Sequence, residues 1–586
     1  MTLASLTLLA TLQRITTLAT AEVNLTFGDI NVVVVTDVHS WIYSHYHTED
    51  HDPVLDANYG HVISFVERLK ALESDKDIWF VMNGDFIDGT GLSYKEFALT
   101  PILEQMPWDA LTVGNHELYK NSTIELMAQP GGFIQWFGQK LITTNVITTS
   151  TGEPLGHRFK FLRGKSSTTL VLGFLYEMEY GSTLKTVERV EDIIHFEWYQ
   201  ELLGEPFDAV LVLAHMDLKD PLVYTILASI RQIKGTSMPV QFITGHTHYR
   251  GFMELDELST SFEAGRYLDT IGFVSFPKLG NLNGTFQHQF LDANTAQLAE
   301  TLGIAVEDLL TPKGESLIGF IDRTRSRLGL NDVIGCSPAH FILNSSLDDQ
   351  YSLWGLYRDE VVPSQLFNEQ TRKILIQNRE TSLRYDLYQG NITLDDIYVV
   401  NPFNESLYLV AESLPAAVIH ALNDSLNSGN SSITSLPQLP EFIIIGTLDD
   451  GERYQLYTIG FDLAAVQTEL QIQLGDTLIT PLKTEISATQ MWYNFVIRKW
   501  PNCSVVWDIE DSEDTKENSS VNSRIIIGII GVSIVLALAG FLYAIILIQN
   551  ERGHLHFESD DLLFVTNDGG FRGNSGQMPS EMDKFA

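Results

Sequence analysis

Five short apolar runs in the first half of the chain each lead into a group of polar residues. The runs occupy residues 32–36, 78–83, 110–113, 209–213 and 240–244. Because they are short and almost wholly apolar, they predict strands that are buried on both faces of a sheet. Open α/β sheets bind their ligands beyond the carboxyl ends of such strands. The pattern therefore predicts an α/β domain whose functional side chains lie directly after the five strands.

The residues at the ends of the five runs are suited to binding divalent metal ions. They are Asp37-Val38-His39, Gly84-Asp85-Phe86-Ile87-Asp88-Gly89, Gly114-Asn115-His116-Glu117, Ala214-His215 and Gly245-His246-Thr247-His248. Carboxylate oxygens, imidazole nitrogens and amide oxygens all bind zinc-like or manganese-like ions. Two such ions about 3.5–4 Å apart need a bridging ligand, and the two oxygens of a carboxylate can supply it. The five segments together indicate a two-metal hydrolase.

This pattern resembles the calcineurin-like metallophosphoesterase superfamily, and more closely its 5'-nucleotidase branch. The resemblance implies that Asp37, His39 and His248 hold one ion, that Asn115, His215 and His246 hold the second, and that Asp85 bridges the two. It also implies that a two-metal-activated water attacks phosphorus in line. Superfamily members with a ferric–tyrosinate centre have a tyrosine three residues after the bridging aspartate, where this chain has Asp88. Zinc, manganese, calcium and ferrous iron remain open.

His116 follows a predicted ligand and cannot easily bind the same ion. In the superfamily, a histidine here protonates the leaving oxygen or stabilises the transition state. Nucleotidases often orient it with an aspartate three residues later, where this chain has Tyr119, whereas other members use the position of Asp88. We therefore expect Asp88 to orient His116, although a role in capping a turn stays open for Asp88. Glu117 is expected to complement the start of a helix.

The second half of the chain resembles the 5'-nucleotidase C-terminal domain over residues 382–393 and 399–407. Arg384 matches a family arginine that helps to hold the substrate, and Asn115 is expected to contact substrate as well. A surface arginine paired with Asp386 is the alternative for Arg384. The chain departs from the family because paired glycines are missing before Arg384. Leu407 also stands at the position of a phenylalanine that stacks on the base, and the region around Phe461 lacks the family's glycines.

The resemblance implies a four-layer α/β sandwich, made of two mixed sheets flanked by helices, with an α+β C-terminal domain. The apolar run at residues 525–548 adds a single predicted transmembrane helix. The predicted boundaries are 1–21 for a signal peptide, 22–290 for the catalytic domain, 291–313 for a linker helix, 314–507 for the 5'-nucleotidase C-terminal-like domain, 508–524 for a stalk, 525–548 for the span and 549–586 for a cytoplasmic tail.

The two ends of the chain predict a secreted or membrane-anchored protein. The first twelve residues are largely apolar, and Ala19-Thr20-Ala21 offers a cleavage site of small residues. Residues 525–548 carry no charge and would reach about 36 Å as a helix, which is enough to cross a bilayer. Ten Asn-x-Ser/Thr sequons precede this span and predict a glycoprotein. We expect a single-pass type I protein of the vacuolar or lysosomal membrane or of the cell surface, with its catalytic domain lumenal or extracellular.

The predicted tail contains Glu558-Ser559-Asp560-Asp561-Leu562-Leu563, which resembles an acidic dileucine signal for a sorting adaptor. The two cysteines, Cys336 and Cys503, could form one bridge in an oxidising compartment, or they could remain free. The formal net charge of −38 excludes nucleic-acid polymers as partners. At a phosphate ester, the bound metals would have to supply the local positive charge.

Three functions fit the sequence. The first is metal-dependent hydrolysis of phosphate monoesters outside the cytosol, with 5'-nucleotides as substrates and nucleosides and phosphate as products. The second is a phosphodiesterase or pyrophosphatase acting on nucleotide-sugars, cyclic nucleotides or other small phosphoesters, because the same metal core serves these reactions. The third is a non-catalytic membrane receptor that retains the fold, although a decayed site would be expected to lose a ligand or His116.

Overall fold

The computed structural model describes residues 23–45, 54–94, 98–178, 180–281, 283–367, 371–379, 381–428, 440–475 and 479–502. The predicted signal peptide, stalk, span, tail and sorting motif lie outside these residues, as does Cys503. Cys336 is disulfide-bonded, and Cys503 is the one other cysteine of the sequence. No helix in the described part of the chain is long and apolar enough to cross a membrane.

Five strands of the described residues coincide with the five predicted apolar runs, within two residues at each end. The described strands are β1 (Ile30–Val35), β2 (Asp77–Asn83), β3 (Ala110–Thr112), β4 (Val146–Thr148), β5 (Phe159–Arg163), β6 (Thr168–Leu175), β7 (Lys185–Val187), β8 (Ala209–His215), β9 (Val240–Thr244), β10 (Arg250–Asp256), β11 (Ser259–Ala264), β12 (Thr270–Phe276), β13 (Gln287–Asp292), β14 (Val333–Ser337), β15 (Lys373–Asn378), β16 (Gly390–Thr393), β17 (Ser406–Pro415), β18 (Phe442–Ile445), β19 (Arg453–Ile459) and β20 (Leu482–Ser487). The five predicted strands are β1, β2, β3, β8 and β9.

Two mixed sheets form the first half of the fold. One has the order β13-β12-β1-β2-β3, and the other has the order β10-β11-β9-β8-β6-β5. In the first sheet, β1, β2 and β3 are parallel, and β12 and β13 extend it with antiparallel pairs. In the second sheet, β11, β9, β8 and β6 are parallel, and the edge strands β10 and β5 are antiparallel. The strand order explains why each apolar run is continuous, since the central strands are covered on both faces.

Alternating side chains of the central strands feed separate cores. Val32 and Val34 of β1 belong to the core between the two sheets, whereas Val33 belongs to the core beside helix Tyr59–Leu72. Strand β8 alternates in the same way between the shared core and the core beside helix Pro221–Lys234. This alternation, with a period of two residues, produces the predicted order of helices, sheet, sheet and helices.

The helices of the described residues cover the sheets and connect the two halves of the chain. The α-helices are Tyr59–Leu72, Gly91–Tyr94, Thr100–Leu103, Asn121–Ala128, Phe133–Phe137, Val190–Ile193, Glu197–Gly204, Pro221–Lys234, Thr295–Thr301, Pro312–Arg327, Leu353–Leu356, Val362–Leu366, Leu394–Val400, Ala416–Leu426, Leu463–Gln473 and Ala488–Lys499. Helix Thr295–Thr301 lies where the spacing of apolar residues predicts a linker helix, and Asn294 caps its first turn.

A third sheet organises the second half of the chain, with the order β18-β15-β19-β17-β20. Its two faces pack against separate groups of apolar residues. Leu375 of β15 belongs to the core that includes residues of helix Ala488–Lys499. Ile374 and Ile376 belong to the core formed with helices Ala416–Leu426 and Leu463–Gln473. This half is therefore an α+β arrangement, as the sequence predicts.

Candidate active site

The predicted site residues converge where β1, β2, β3, β8 and β9 end. The backbone at these strand ends turns sharply. Ten non-glycine residues in the described part of the chain have positive φ, and six of them are predicted site residues: Asp37, His39, Asp85, Asp88, His246 and His248. Such backbone angles are uncommon outside glycine and cluster at functional sites. The backbone of Gly114 packs directly against the Asp85 side chain. A Cβ atom at residue 114 would lie 2.1 Å from Asp85 Oδ1, so only glycine fits there.

One group of possible ligands consists of Asp37, His39 and His248, whose ligand atoms lie within 4.8 Å of one another. His39 Nε2 is 3.1 Å from His248 Nε2, and His248 Nε2 is 3.7 Å from Asp37 Oδ1. His39 Nδ1 lies 2.9 Å from the carbonyl oxygen of Ile87. If Nδ1 donates to this carbonyl, Nε2 is left as the ligand atom.

A second group consists of Asp85, His215 and His246, again with ligand atoms within 4.8 Å. His215 Nδ1 lies 2.7 Å from the carbonyl oxygen of Asn83, which leaves Nε2 to face the site. His215 Nε2 is 3.1 Å from Asn115 Oδ1. The structure therefore brings the amide oxygen of Asn115 to the same place as the second group.

Asp85 lies between the two groups. Its Oδ1 accepts a hydrogen bond from the backbone N–H of His116 at 2.9 Å. Its Oδ2 is buried and accepts no well-directed hydrogen bond from the described residues, although His215 Nε2 is 3.1 Å away and His39 Nε2 is 3.7 Å away. A buried carboxylate oxygen without a hydrogen bond is costly unless it binds a cation. The donor set and this oxygen fit a divalent metal centre.

The electrostatics of the site also suit a cation. Burial is the largest factor that lowers the pKa of His39, His246 and His248, with His246 reaching about 4, so these imidazoles are neutral as metal ligation requires. Burial raises the pKa of Asp37 to about 8. Burial lowers the pKa of His215, but the carboxylates of Asp85 and Asp37 outweigh it and raise the pKa to about 10. The buried carboxylate of Asp37 thus lacks sufficient positive charge nearby, and a divalent ion would supply it.

His116 and Asp88 form a buried pair beside the ligand groups. His116 Nδ1 is 3.1 Å from Asp88 Oδ2, and Asp88 Oδ1 accepts a hydrogen bond from the hydroxyl of Tyr94. Burial by itself raises the pKa of Asp88, but the hydrogen bond from His116 and the charge of Lys120 outweigh it and lower the pKa. An ionised Asp88 favours a proton on His116 Nδ1 and leaves Nε2 facing the site.

Arg384 reaches this site from the second half of the chain. Its Nη2 is 3.3 Å from His116 Nε2, and its guanidinium lies 4.9 Å from the centre of the Phe403 ring. The alternative pairing with Asp386 is wrong, because Asp386 contacts His340 Nε2 at 3.1 Å instead. Arg384 Nε is buried and has no hydrogen-bond partner among the described residues. The guanidinium therefore presents a free donor beside the metal ligands.

The aromatic residues around Arg384 differ from the family pattern as the sequence indicates. Leu407 is fully buried in the core opposite Ile459 and offers no ring to the site. The rings of Phe403 and Phe461 touch each other, with centroids 5.1 Å apart at 81°. Phe403 also stacks on His116 at 5.7 Å. The rings of Phe403 and Phe461 therefore lie next to the site. Little in the sequence indicated this position for Phe461, because the family's glycines are missing around it.

Comparison with known proteins identifies a domain in each half of the chain. Residues 30–250 match the calcineurin-like phosphoesterase family, and residues 340–442 match the C-terminal domain of NAD nucleotidase. The first match contains every predicted metal ligand together with His116 and Asp88. The chain carries a calcineurin-like phosphoesterase domain. It is accordingly a metal-dependent phosphoester hydrolase.

Relatives of the phosphoesterase occur in several fungi. An uncharacterized protein of Saccharomyces cerevisiae is 28% identical over 433 residues, which is 69% of this chain and 71% of the relative. A secreted protein of Arthroderma benhamiae is 26% identical over 466 residues, which is 69% of this chain and 68% of the relative. The crystal structure of 5'-nucleotidase from Candida albicans has the same fold, with a TM-score of 0.73 and 24% identity over 81% of this chain and 99% of that structure.

Glu117 has a role in the phosphoesterase that differs from the one expected for it. It lies in the first turn of the short 3-10 helix His116–Leu118, but its side chain does more than complement that turn. Its carboxylate accepts four backbone hydrogen bonds, from the N–H groups of Asp85 at 2.9 Å, Phe86 at 3.0 Å, Ile87 at 3.2 Å and Gly114 at 2.8 Å. Glu117 thereby joins the loop after β2 to the loop after β3. Residue spacing gives no sign of this contact.

We expect Glu117→Gln to destabilise the phosphoesterase and to weaken metal binding. The amide nitrogen cannot accept hydrogen bonds, so two buried N–H groups lose their acceptor, which costs about 2 to 6 kcal/mol at about 1 to 3 kcal/mol each. Thermal unfolding with and without metal measures the effect. Glu191→Gln, at a half-buried position in helix Val190–Ile193, is the control. Equal melting temperatures for both variants would show that the four contacts of Glu117 contribute little.

Tyr119 occupies the position where nucleotidases often have an aspartate. Its hydroxyl oxygen accepts a hydrogen bond from Asn115 Nδ2 at 2.9 Å. This contact fixes which end of the amide faces the ligands, so that Asn115 Oδ1 points toward His215. The ring of Tyr119 also packs edge-on against His116, with centroids 5.1 Å apart. Tyr119 therefore orients a predicted metal ligand, while Asp88 takes the position beside His116.

We expect Tyr119→Phe to lower the affinity for a metal ion bound at Asn115 by about tenfold, the usual scale for removing a hydrogen-bond partner of a ligand. The ring and its packing are retained, so the melting temperature of the metal-free protein should change little. Competition titration against a metal-binding dye measures the affinity. Tyr199→Phe, which removes a hydroxyl that contacts Ser229 away from the site, should leave it unchanged. An unchanged affinity in Tyr119→Phe would rule out this role.

Proposed function

We propose that this phosphoesterase hydrolyses phosphate monoesters, with 5'-nucleotides as substrates and nucleosides and phosphate as products. The observation that carries the proposal is the position of Arg384, whose Nη2 lies 3.3 Å from His116 Nε2. A guanidinium beside the metal ligands can bind the oxygens of a terminal phosphate in the two-pronged geometry that Arg favours. The likeness of residues 340–442 to a nucleotidase domain supports a nucleotide as substrate.

We propose that two divalent ions are held by the predicted residues. Asp37, His39 and His248 would hold one ion, Asn115, His215 and His246 would hold the other, and Asp85 would serve both. When bound, the ions supply an activated water and neutralise charge on the phosphoryl oxygens. The ligand atoms of these residues lie close together in the structure, which supports this assignment.

The protein's own residues complete the reaction in this proposal. Arg384 binds and orients the phosphoryl group, together with the amide of Asn115. His116 Nε2 holds the proton that passes to the leaving oxygen, and Asp88 keeps the other ring nitrogen of His116 protonated. Phe403 packs on both Arg384 and His116 and excludes water from one side.

A second candidate reaction is cleavage of the phosphoanhydride bond of a dinucleotide. The match of residues 340–442 to the C-terminal domain of NAD nucleotidase favours it. The same ligand set could act on either bond, because substrate choice depends on residues outside the metal centre. Nucleotide-sugars and cyclic nucleotides are further possible substrates of such a pyrophosphatase or phosphodiesterase.

We also propose that the reaction takes place outside the cytosol. The predicted signal peptide and the span at residues 525–548 support a type I membrane protein with a lumenal or extracellular catalytic domain. A relative described as secreted is consistent with entry into the secretory route. Protease protection of the intact chain in sealed membrane vesicles tests the orientation, because a lumenal catalytic domain would survive digestion until detergent is added.

Phosphate release by the purified chain tests the reaction. The substrates are AMP, NAD, a nucleotide-sugar, a cyclic nucleotide and a simple phosphomonoester, each with and without a chelator. Chelator-sensitive release from AMP alone supports the monoesterase. Release only after a phosphatase is added to the NAD reaction identifies the anhydride as the target, since that product is a mononucleotide. No metal-dependent release from any substrate would contradict both reactions.

Arg384→Ala is expected to reduce kcat/KM for AMP by about 10- to 100-fold, because a hydrogen bond to a charged group contributes about 1.5 to 3 kcal/mol. Metal content should not change, since Arg384 is not a ligand. Arg358→Ala removes an arginine whose nearest ion pair is with Asp359 and serves as the control. A variant Arg384→Ala with wild-type kcat/KM would show that the guanidinium does not bind the substrate.

A further inference from the structure

A cavity of about 360 Å³ lies beside the catalytic site and plays no part in the proposed reaction. It opens between the loop that follows β1, the carboxyl end of helix Pro312–Arg327 and the segment 385–399. None of the described residues that line it is a predicted metal ligand, and Arg384 and His116 are not among them either. The cavity is therefore a separate feature of the fold.

Aromatic faces form one wall of this cavity. The rings of Trp41 and Tyr385 lie 4.7 Å apart at 50°, and those of Tyr385 and Tyr388 lie 6.3 Å apart. Tyr388 is itself held in place by stacking on His340 at 4.4 Å. Rings fixed in this way offer flat apolar surfaces on which a nucleobase or a sugar ring can stack.

The charges around the cavity disfavour an anion. Three carboxylates line it, from Asp386, Asp395 and Asp396, against the single guanidinium of Arg325. That guanidinium already pairs with Asp395 at 2.5 Å and lies 3.6 Å from the centre of the Tyr43 ring. The ion pair of Arg325 and Asp395 is close to neutral, so a phosphate ester would still meet the carboxylates of Asp386 and Asp396 without a free cation among the described lining residues. A neutral ring avoids this repulsion.

The position of the cavity connects it to the catalytic site through one aromatic ring. Trp41 stacks on Tyr267 at 5.5 Å, and the Tyr267 ring lies 5.6 Å from both His39 and His248. A neutral molecule released at the metal centre is thus formed next to a site that fits its chemistry. The volume is at the lower end of the range for small-molecule sites, which suits one nucleoside and not a dinucleotide.

We propose that this cavity binds a neutral nucleoside-sized ring ligand and excludes phosphate esters. The identity of the ligand as a nucleoside rests on the proposed function, because the nucleoside is the neutral product of that reaction. The cavity would then hold product apart from substrate. Binding of a neutral ring here does not itself require that the chain hydrolyse nucleotides.

Equilibrium binding of adenosine to the full chain with metals bound tests the proposal. Excess inorganic phosphate occupies the catalytic site, so that binding elsewhere is measured, and isothermal titration calorimetry reports it. Methyl riboside and purine are titrated separately to distinguish recognition of the sugar from recognition of the base. We expect Tyr388→Ala to weaken adenosine binding by about tenfold, the scale for losing one stacking ring. Tyr388→Phe keeps the ring face and should retain binding.

Several results would overturn the proposal. These are the absence of adenosine binding, equally tight binding of a non-hydrolysable phosphonate analogue of AMP in the presence of phosphate, and binding that is lost in Arg384→Ala but not in Tyr388→Ala. The last result would place the adenosine in the catalytic site. Failure of the proposed function is distinguishable, because it would appear as absent phosphate release from AMP while adenosine binding and its loss in Tyr388→Ala persisted.

Discussion

Replacing Asp85 with asparagine is expected to abolish phosphoester hydrolysis and to lower the metal content of the purified protein. Asp85 belongs to the group with His215 and His246, and its ligand atom also lies within 4.8 Å of those of His39 and His116, which form a third group with it. Its Oδ2 is buried without a hydrogen bond from the described residues. Asparagine has nearly the same shape but carries no charge, so it cannot neutralise a bound divalent ion. We expect kcat/KM to fall by about three decades or more, the scale for losing a group that stabilises charge in the transition state.

Metal content by mass spectrometry of the purified protein, together with phosphate release from AMP, measures this effect. Asp77→Asn is a matched control, because Asp77 is also a buried carboxylate on β2 but stands at the opposite end of the strand. There it accepts hydrogen bonds from the turn at residues 165–167. Asp77→Asn should keep the wild-type metal content and activity. If Asp85→Asn retained full turnover, the assignment of Asp85 as the shared ligand would be wrong.

Replacing His116 with alanine is expected to lower the rate by about two to four decades while the metal content stays unchanged, the usual scale for losing a general acid. His116 Nδ1 faces Asp88 at 3.1 Å, and Nε2 faces Arg384. Neither nitrogen is placed like those of His39 and His215, whose Nδ1 lies near a backbone carbonyl oxygen and whose Nε2 faces a second ligand. His116 is therefore placed to move a proton, not to anchor an ion.

Two further measurements separate this role from others. A substrate with a leaving group of low pKa, such as a nitrophenyl ester, needs less help from an acid and should be less sensitive to His116→Ala than AMP is. His195→Ala, at an exposed histidine whose Nδ1 contacts the carbonyl of Glu191, controls for loss of an imidazole. Loss of metal from His116→Ala would instead identify His116 as a ligand, a possibility that its place in a third group of ligand-type atoms makes worth testing.

The apolar runs of the first half predicted strands of both mixed sheets well, because the two faces of the central strands are covered. A strand buried on both sides must be apolar throughout, and polar residues can return only where the strand ends. Thus β8 is buried over its whole length and ends at His215. The position of the site followed from the same pattern, since the residues after parallel strands all emerge at one edge.

The contacts that hold the site residues in place could not be predicted in this way. Glu117 stands beside a helix start in the sequence, and that local position suggested a role in complementing the helix. Three of the N–H groups that it binds belong to residues 85–87, which lie 30 to 32 positions earlier in the chain. The fourth belongs to Gly114, three positions earlier. Tyr119 likewise gained its role from a hydrogen bond to Asn115, which depends on how the turn is folded.

The sequence by itself determined the α/β fold class, the positions along the chain of the strands that carry the site, and the chemical types of the groups at their ends. These follow from local rules, since apolar periodicity and ligand chemistry depend on neighbouring residues. Only the tertiary structure decided that Asp88 faces His116, that Arg384 enters the site and does not pair with Asp386, and that Leu407 is buried in the core. These facts depend on long-range packing between the two halves of the chain, where the geometry of folded segments selects one partner from several that the sequence allows.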